Sequence, residues 1–279
     1  MYTISRLSAA NYHYKRYSLD YFFNSAEKLG YETIELWASG PHLNLEDFTN
    51  DDLKAVKKKI SDHNLELVCF TPEQCLYPIS VCHPDKRYRD RSVDFFCKHI
   101  EASVLLDCNR MVVSTGMAYL DDDAEETWKW CVEAFKKISE KAQKEGVYLA
   151  TEPFTKYTTH ICNNVNQLKK LIEEVGSPML KGLADTDVIA TTGTDTLETF
   201  VKTLGKDLIH VHFLDGNPGG HLVPGDGKLD MKDSLRLFDE IGYEGYLALE
   251  ILDRRYVMEP DKALKGAMDW YKCNALPQR

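Results

Sequence analysis

The chain alternates short apolar runs, rich in β-branched residues, with longer segments whose apolar positions recur at helical spacing among charged ones. Eight runs read as strands: ISRLSA (4–9), ETIELW (32–37), LELVCF (65–70), RMVVST (110–115), VYLATE (147–152), LKGLAD (180–185), LIHVHF (208–213) and YLALEI (246–251). Each is short, apolar and bounded by polar or glycine-containing segments, as a buried strand should be. Helical periodicity covers 18–29, 49–62, 84–106, 123–145, 163–175, 194–204, 231–241 and 260–272. Thr49 with Asp52 three residues on has the form of a helix start, and Gly146 and Gly242 suit helix ends.

Uninterrupted strand–helix alternation implies parallel strands joined by crossover helices. Eight such units fit a closed barrel. An open doubly wound sheet would want a glycine-rich phosphate loop after its first strand, and residues 10–18 contain no glycine. The expected fold is therefore α/β, a (β/α)8 TIM barrel spanning residues 1–279 as one domain, with no linker or low-complexity stretch to divide it. LGYETIELW, EGVYLATEP and IGYEGYLALE each pass from a glycine through an apolar strand to a glutamate near its C-terminal end. Repeated βα units would leave that echo.

Composition narrows the partners more than the fold. The formal net charge of -10 is spread along the chain. That disfavours nucleic acid and anionic membranes, whose phosphates are bound by clustered Lys and Arg. The first thirty residues include Arg6, Lys15, Arg16, Asp20 and Glu27, so they hold no uncharged secretory core, and no apolar run is long enough to span a bilayer. The eight cysteines form no C-x-x-C pair and read as reduced, mostly buried thiols of a cytoplasmic protein. Nothing in the sequence fixes the oligomeric state, and a homo-oligomer stays open.

Barrel active sites are built from strand C-termini and the loops that follow. Here those ends carry Glu35, Glu152, Asp185, His210 or His212, and Glu250. A carboxylate ending a buried apolar strand is costly unless something pairs with it, and several at one mouth repel each other. A cation answers both difficulties. Glu152, Asp185, His212 and Glu250, on the last four strands, form an oxygen-rich set with one imidazole, suited to one divalent metal ion (Mn, Co, Mg, Fe or Zn) rather than to a thiolate site. His212 is nearer the C-terminal end than His210, which shares its strand face and should lie deeper in the core. Glu35 alone reads better as a structural carboxylate, and the histidines at 13, 63, 83 and 99 read as surface residues.

TEP (151–153), AD (184–185), HVHFLDG (210–216), HLVPGDGKLD (221–230) and ALE (248–250) resemble the sugar epimerase branch of the xylose-isomerase-like barrels. The likeness extends to IELWASGPH (34–42), FTPEQCLYP (70–78), EPFTKY (152–157) and GYEGYLALE (242–250), which resemble tagatose/psicose and especially fructoselysine 3-epimerases. The resemblance implies that Glu152, Asp185, His212 and Glu250 bind the metal. Glu152 and Glu250 would also serve as the acid–base pair that inverts the carbon beside a ketose carbonyl through a cis-enediolate. It implies too that His221 holds substrate and that Trp37, His42 and Glu73 line the mouth, with a small sugar as partner. Two positions depart from the family pattern: Val188 stands where a strand-6 D-T-x-H motif has histidine, and Thr158 where a glutamate is common. Both contact substrate in the family, so the departures bear on which sugar is taken. A sugar or sugar-phosphate isomerase or epimerase, or an inosose-type dehydratase, would use the same residues. A non-catalytic sugar-binding barrel is a more distant alternative. The related metal-dependent endonucleases need more histidines at strand ends, whereas strands 3 and 4 end here in Phe70 and Thr115.

Overall fold

A computed structural model describes residues 2–75, 79–117 and 119–275, so the last part of FTPEQCLYP, residues 76–78, lies outside it. Eight strands form one closed ring in sequence order: β1 (Leu7–Ala10), β2 (Thr33–Ala38), β3 (Glu66–Pro72), β4 (Arg110–Ser114), β5 (Tyr148–Glu152), β6 (Leu180–Asp185), β7 (Leu208–His212) and β8 (Leu247–Ala248). All pairings are parallel, and β1 hydrogen-bonds to both β2 and β8. The helices are α1 (Leu19–Lys28), α2 (Asn50–Asp62), α3 (Lys86–Leu105), α4 (Ala124–Glu145), α5 (Val165–Val175), α6 (Thr186–Thr192), α7 (Leu197–Leu204), α8 (Met231–Glu240) and α9 (Pro260–Asn274). The expected (β/α)8 barrel is what the chain forms.

The strands read as continuous apolar runs because a parallel barrel buries both of their faces. Alternate residues take opposite sides. Ile34, Leu36, Phe70, Met111, Val113, Leu149 and Leu247 join the large core between strands and helices. Their neighbours point inward. Cys69, Val112, Ala150 and Leu183 make a separate small apolar layer inside the ring. One inward position further along lie Thr71, Ser114, Glu152 and Asp185, all buried. The polar residues thus lie on the same inward faces as an apolar layer, nearer the C-terminal ends.

Local signals behave as their chemistry dictates. Thr49 and Asp52 form a reciprocal capping box on α2. Gly146 closes α4 in the left-handed region, at φ 73°, where a side chain would be strained. Strand limits shift by up to two residues, and by three at the start of β1 and the end of β8. Ile4–Arg6 forms a 3-10 turn, so β1 begins at Leu7, and β8 stops at Ala248, so Glu250 lies just past its end. Helix α6 is an addition, since its seven residues are too few to show a period. His13 and His99 are buried rather than superficial: the ring of His13 packs on Tyr14 at 4.7 Å, and that of His99 on Phe95 at 4.0 Å. All eight cysteines are free, Cys75 and Cys273 being exposed. Among the described residues, no helix is long and apolar enough to cross a membrane.

Arg6 closes the base of the ring. Its Nε donates to the Gly245 carbonyl at 3.0 Å and its Nη2 to that of Tyr243 at 2.7 Å, and its guanidinium lies 4.4 Å from the centre of the Tyr2 ring. Replacing Arg6 by Leu leaves two carbonyls without these donors beside the β1–β8 seam. We expect a loss of roughly 2–4 kcal/mol, since bonds from a charged donor contribute about 1.5–3 kcal/mol each. Equilibrium denaturation in urea checks it, and a midpoint equal to wild type would contradict this role for Arg6.

Candidate metal centre and substrate cavity

Glu152 ends β5, Asp185 ends β6, His212 ends β7 and Glu250 follows β8, so successive strands deliver the first three to one side of the mouth. Nδ1 of His212 lies 2.9 Å from Glu250 Oε2, 3.7 Å from Asp185 Oδ2 and 3.8 Å from Glu152 Oε2. Donor atoms of Glu152, Asp185 and His212 all fall within 4.8 Å of one another. The structure therefore brings together the four residues singled out from the sequence.

Asp185 shows how the chain aims a ligand. It caps α6: its Oδ1 accepts from Asp187 N at 2.8 Å and Val188 N at 2.7 Å. That fixes the carboxylate plane and turns Oδ2 toward the cluster. Asp185 Oδ2 and His212 Nδ1 are buried and make no hydrogen bond among the described residues. Buried polar atoms are seldom left so. Two unpartnered atoms converging among carboxylates fit a divalent cation, and the oxygen-rich donor set suits a hard or borderline ion.

The group is also electrostatically crowded. Burial, then the neighbouring Asp185 charge, raises the Glu152 pKa well above the ordinary glutamate range. Burial works the same way on Asp185, but His221 and His212 outweigh it and hold that carboxyl below its usual value. Burial opposes the charge on His212, yet Glu35 and Glu250 outweigh it and lift its pKa well above normal. His212 and His221 are thus the positive partners of this carboxylate group.

His221 reaches the same place from the loop after β7. Its Nε2 lies 3.6 Å from Asp185 Oδ2 and 3.9 Å from Glu250 Oε2, and its Nδ1 lies 3.1 Å from Asp187 Oδ2. Burial would lower its pKa, but Asp185, Asp187 and Glu250 push it up to about 10. Two buried carboxylates shape this loop through backbone amides. Asp187 accepts from Gly219 N at 2.6 Å and His221 N at 2.8 Å. Asp215 accepts from the amides of Gly216, Gly225, Gly227 and Leu229 at 2.7–3.0 Å. The fit is tight, for a Cβ on Gly216 would sit 1.8 Å from Asp187 Oδ1.

A cavity of about 290 Å³ opens over the cluster, lined on one side by Glu152, His212 and Glu250 and on others by Tyr12, Trp37 and Phe154. Trp37 stacks on Tyr12 with centroids 5.2 Å apart and donates its indole N–H to Glu73 Oε2 at 3.0 Å. Lys15 and Glu73 also line this cavity. His42 does not. It lines a separate groove with residues of α1 and α2, its ring held between Asn11 Nδ2 at 2.7 Å and the Tyr17 carbonyl at 2.8 Å. Asn11 also brackets the Trp37 backbone, so His42 acts on the mouth at one remove. Sequence reasoning passed over Tyr12, Thr71 and Asp187. The aromatic cluster N-Y-H-Y after the first strand was the one available signal for Tyr12.

Replacing Asp187 by Ala removes the acceptor for two amides of the β7 loop. The amide protons of Gly219 and His221 should then exchange rapidly with solvent, and Gly216→Ala should act the same way by displacing the carboxylate. Hydrogen–deuterium exchange followed by NMR reads this directly, and unchanged protection in both variants would show that Asp187 does not hold the loop.

Residues 23–273 match the xylose isomerase-like TIM barrel family. Fructoselysine 3-epimerase of Shigella flexneri is 26% identical over 261 residues, covering 93% of this chain and 94% of that protein. Among solved structures, D-psicose 3-epimerase from Clostridium cellulolyticum H10 superposes with a TM-score of 0.80 at 18% identity, covering 96% of this chain and 99% of that one. The 3-keto-D-glucoside 4-epimerase of E. coli gives 0.82 at 16% identity over the same shares. These structural likenesses are likenesses of fold, whereas the family match spans most of the sequence: the chain belongs to the xylose isomerase-like TIM barrel family.

Proposed function

We propose that the chain is a divalent-metal-dependent carbohydrate epimerase, inverting the carbon beside a ketose carbonyl. The substrate would be a ketose or a fructosamine such as fructoselysine, inverted at C3. The observation that carries this reading is the convergence of Glu152, Asp185 and Glu250 on one nitrogen of His212 beneath a sugar-sized cavity. Those four residues would hold the metal. When bound, a divalent cation supplies Lewis acidity that stabilises negative charge on the carbonyl oxygen as the neighbouring C–H bond breaks.

The chain's own residues account for the rest. Inversion needs a base on one face of the carbon and an acid on the other. Glu152 comes from β5 and Glu250 from beyond β8, strands that are not neighbours in the ring, so the two carboxylates approach the mouth from different sides. One glutamate takes the carbon-bound proton and the other returns a proton to the opposite face. Such groups contribute roughly 10²–10⁴-fold each. His221, fixed by Asp187, offers Nε2 to a substrate oxygen beside the cluster. Trp37 and Phe154 give the sugar apolar walls and exclude water.

Two features favour a fructosamine over a free ketose. Lys15 and Glu73 line the cavity together with Glu152 and Glu250, and would offer partners to the carboxylate and ammonium of a sugar bearing an amino-acid tail. The fructoselysine 3-epimerase relative is also matched over 94% of its length. Isomerisation or dehydration would begin with the same proton removal. Product analysis with ketoses, their phosphates and fructosamines separates these outcomes.

Glu152→Gln and Glu250→Gln should each lower epimerisation and solvent-deuterium incorporation at the inverted carbon by at least about 10²-fold. Wild-type rates of both in either variant would sink the two-base scheme. A second expectation concerns protons. Glu152 and His212 have raised pKa values, so each holds its proton to higher pH than an exposed counterpart and must release it before acting as a ligand. Apparent affinity for Mn²⁺ should therefore rise with pH. Calorimetric titration in two buffers of different ionisation enthalpy should show proton release, and heats independent of the buffer would contradict this.

A further inference from the structure

Glu35 stands behind the cluster rather than in it. It is fully buried, on the inward face of β2. Its Oε1 accepts from the Tyr12 hydroxyl and the Thr71 hydroxyl, both at 2.8 Å, and its Oε2 lies 2.6 Å from His210 Nε2. The same Oε1 lies 3.3 Å from Nε2 of His212. The His212 ring is thus placed between two sets of carboxylates, with Nε2 facing Glu35 and Nδ1 facing Glu152, Asp185 and Glu250.

We propose that Glu35 is a positioning residue that fixes the tautomer and the ring orientation of His212, so that the Nδ1 lone pair faces the cation. A neutral imidazole carries one N–H and one lone pair. The nitrogen facing a carboxylate that accepts from two hydroxyls takes the hydrogen, and the other is left as the donor to a metal. Carboxylates that hold a ligand histidine from behind typically account for 10–100-fold in metal affinity. The inference rests on the metal-binding reading above and adds to it a residue that touches neither metal nor substrate.

A rival arrangement is visible in the same atoms. Donor atoms of Glu35, His210 and His212 lie within 4.8 Å of one another, close enough to suggest a second ion. The hydrogen bonds argue against one. Both Glu35 oxygens already meet donors, and the nitrogen that His210 presents is committed to Glu35 at 2.6 Å. By contrast, Asp185 Oδ2 and His212 Nδ1 have no hydrogen-bond partner among the described residues. His212 Nε2 also makes no hydrogen bond but faces Glu35 Oε1 at 3.3 Å, an oxygen already taken by two hydroxyls, whereas the open Asp185 oxygen lies on the Nδ1 side of the ring, and one ion belongs there.

Measurements on the full chain test this. Metal-stripped wild type titrated with Mn²⁺ should take up one ion per chain at this site. Glu35→Gln, which presents an amide N–H where an acceptor is required, should bind Mn²⁺ about 10–100-fold more weakly. Its far-UV circular dichroism and the thermal midpoint of its metal-free form should stay close to wild type. The visible spectrum of the Co²⁺-loaded variant should also change, because a turned imidazole alters the ligand field, whereas a general loss of packing would not. Should Glu35→Gln fail to fold, long-range ¹H–¹⁵N correlation on Zn²⁺-loaded wild type locates the His212 proton directly. A proton on Nδ1, two ions per chain, or a folded Glu35→Gln with wild-type affinity and spectrum would each overturn the role of Glu35 and leave the epimerase reading standing. A wild-type protein that binds no divalent ion would overturn both.

Discussion

Negative charge at the mouth of the barrel is the constraint on which the rest depends. Glu152, Asp185 and Glu250 approach one another where little water reaches, and Glu35 is buried behind them. Unneutralised, such a group would repel itself and lose hydration that no hydrogen bond restores. The chain answers by interleaving imidazoles: His210 and His212 toward Glu35, His212 and His221 toward the other three. Even so, burial and the Asp185 charge hold the Glu152 pKa well above the glutamate range.

Strand geometry makes this arrangement reproducible. Ligands at the ends of hydrogen-bonded strands inherit the rigidity of the ring, and the inward faces of β3 to β6 set a thin apolar layer beneath them. Asp185 has two tasks, with one oxygen capping a helix and the other facing the cluster. His212 has two as well, one nitrogen for each set of carboxylates. Ligand groups used on both sides have little freedom to relax, which is what a preorganised site requires.

Much of this was legible in the sequence, for identifiable reasons. Parallel barrel strands are apolar on both faces, so they appear as uninterrupted runs, and a carboxylate closing such a run is conspicuous. Glu152 and Asp185 could be read that way because β5 and β6 end on them. Glu250 was legible although β8 itself is only two residues long, since the apolar run continues through Ile251. What escaped depends on contacts between distant segments. Nothing local in N-Y-H-Y says that Tyr12 meets Glu35, and nothing in D-T-D-V says that Asp187 grips a loop thirty residues on. The family resemblance put His42 at the mouth, but its ring turns to the Tyr17 carbonyl. Histidine burial was the poorest reading, because single imidazoles at His13 and His99 carry no periodic signal that separates core from surface.

The grip on the β7 loop carries a consequence for how such a barrel diversifies. Asp187 and Asp215 recognise main-chain amides, and the tightest steric demand is that Gly216 and Gly227 stay small. A lineage could therefore rewrite other side chains of this loop while the geometry beneath is inherited unaltered.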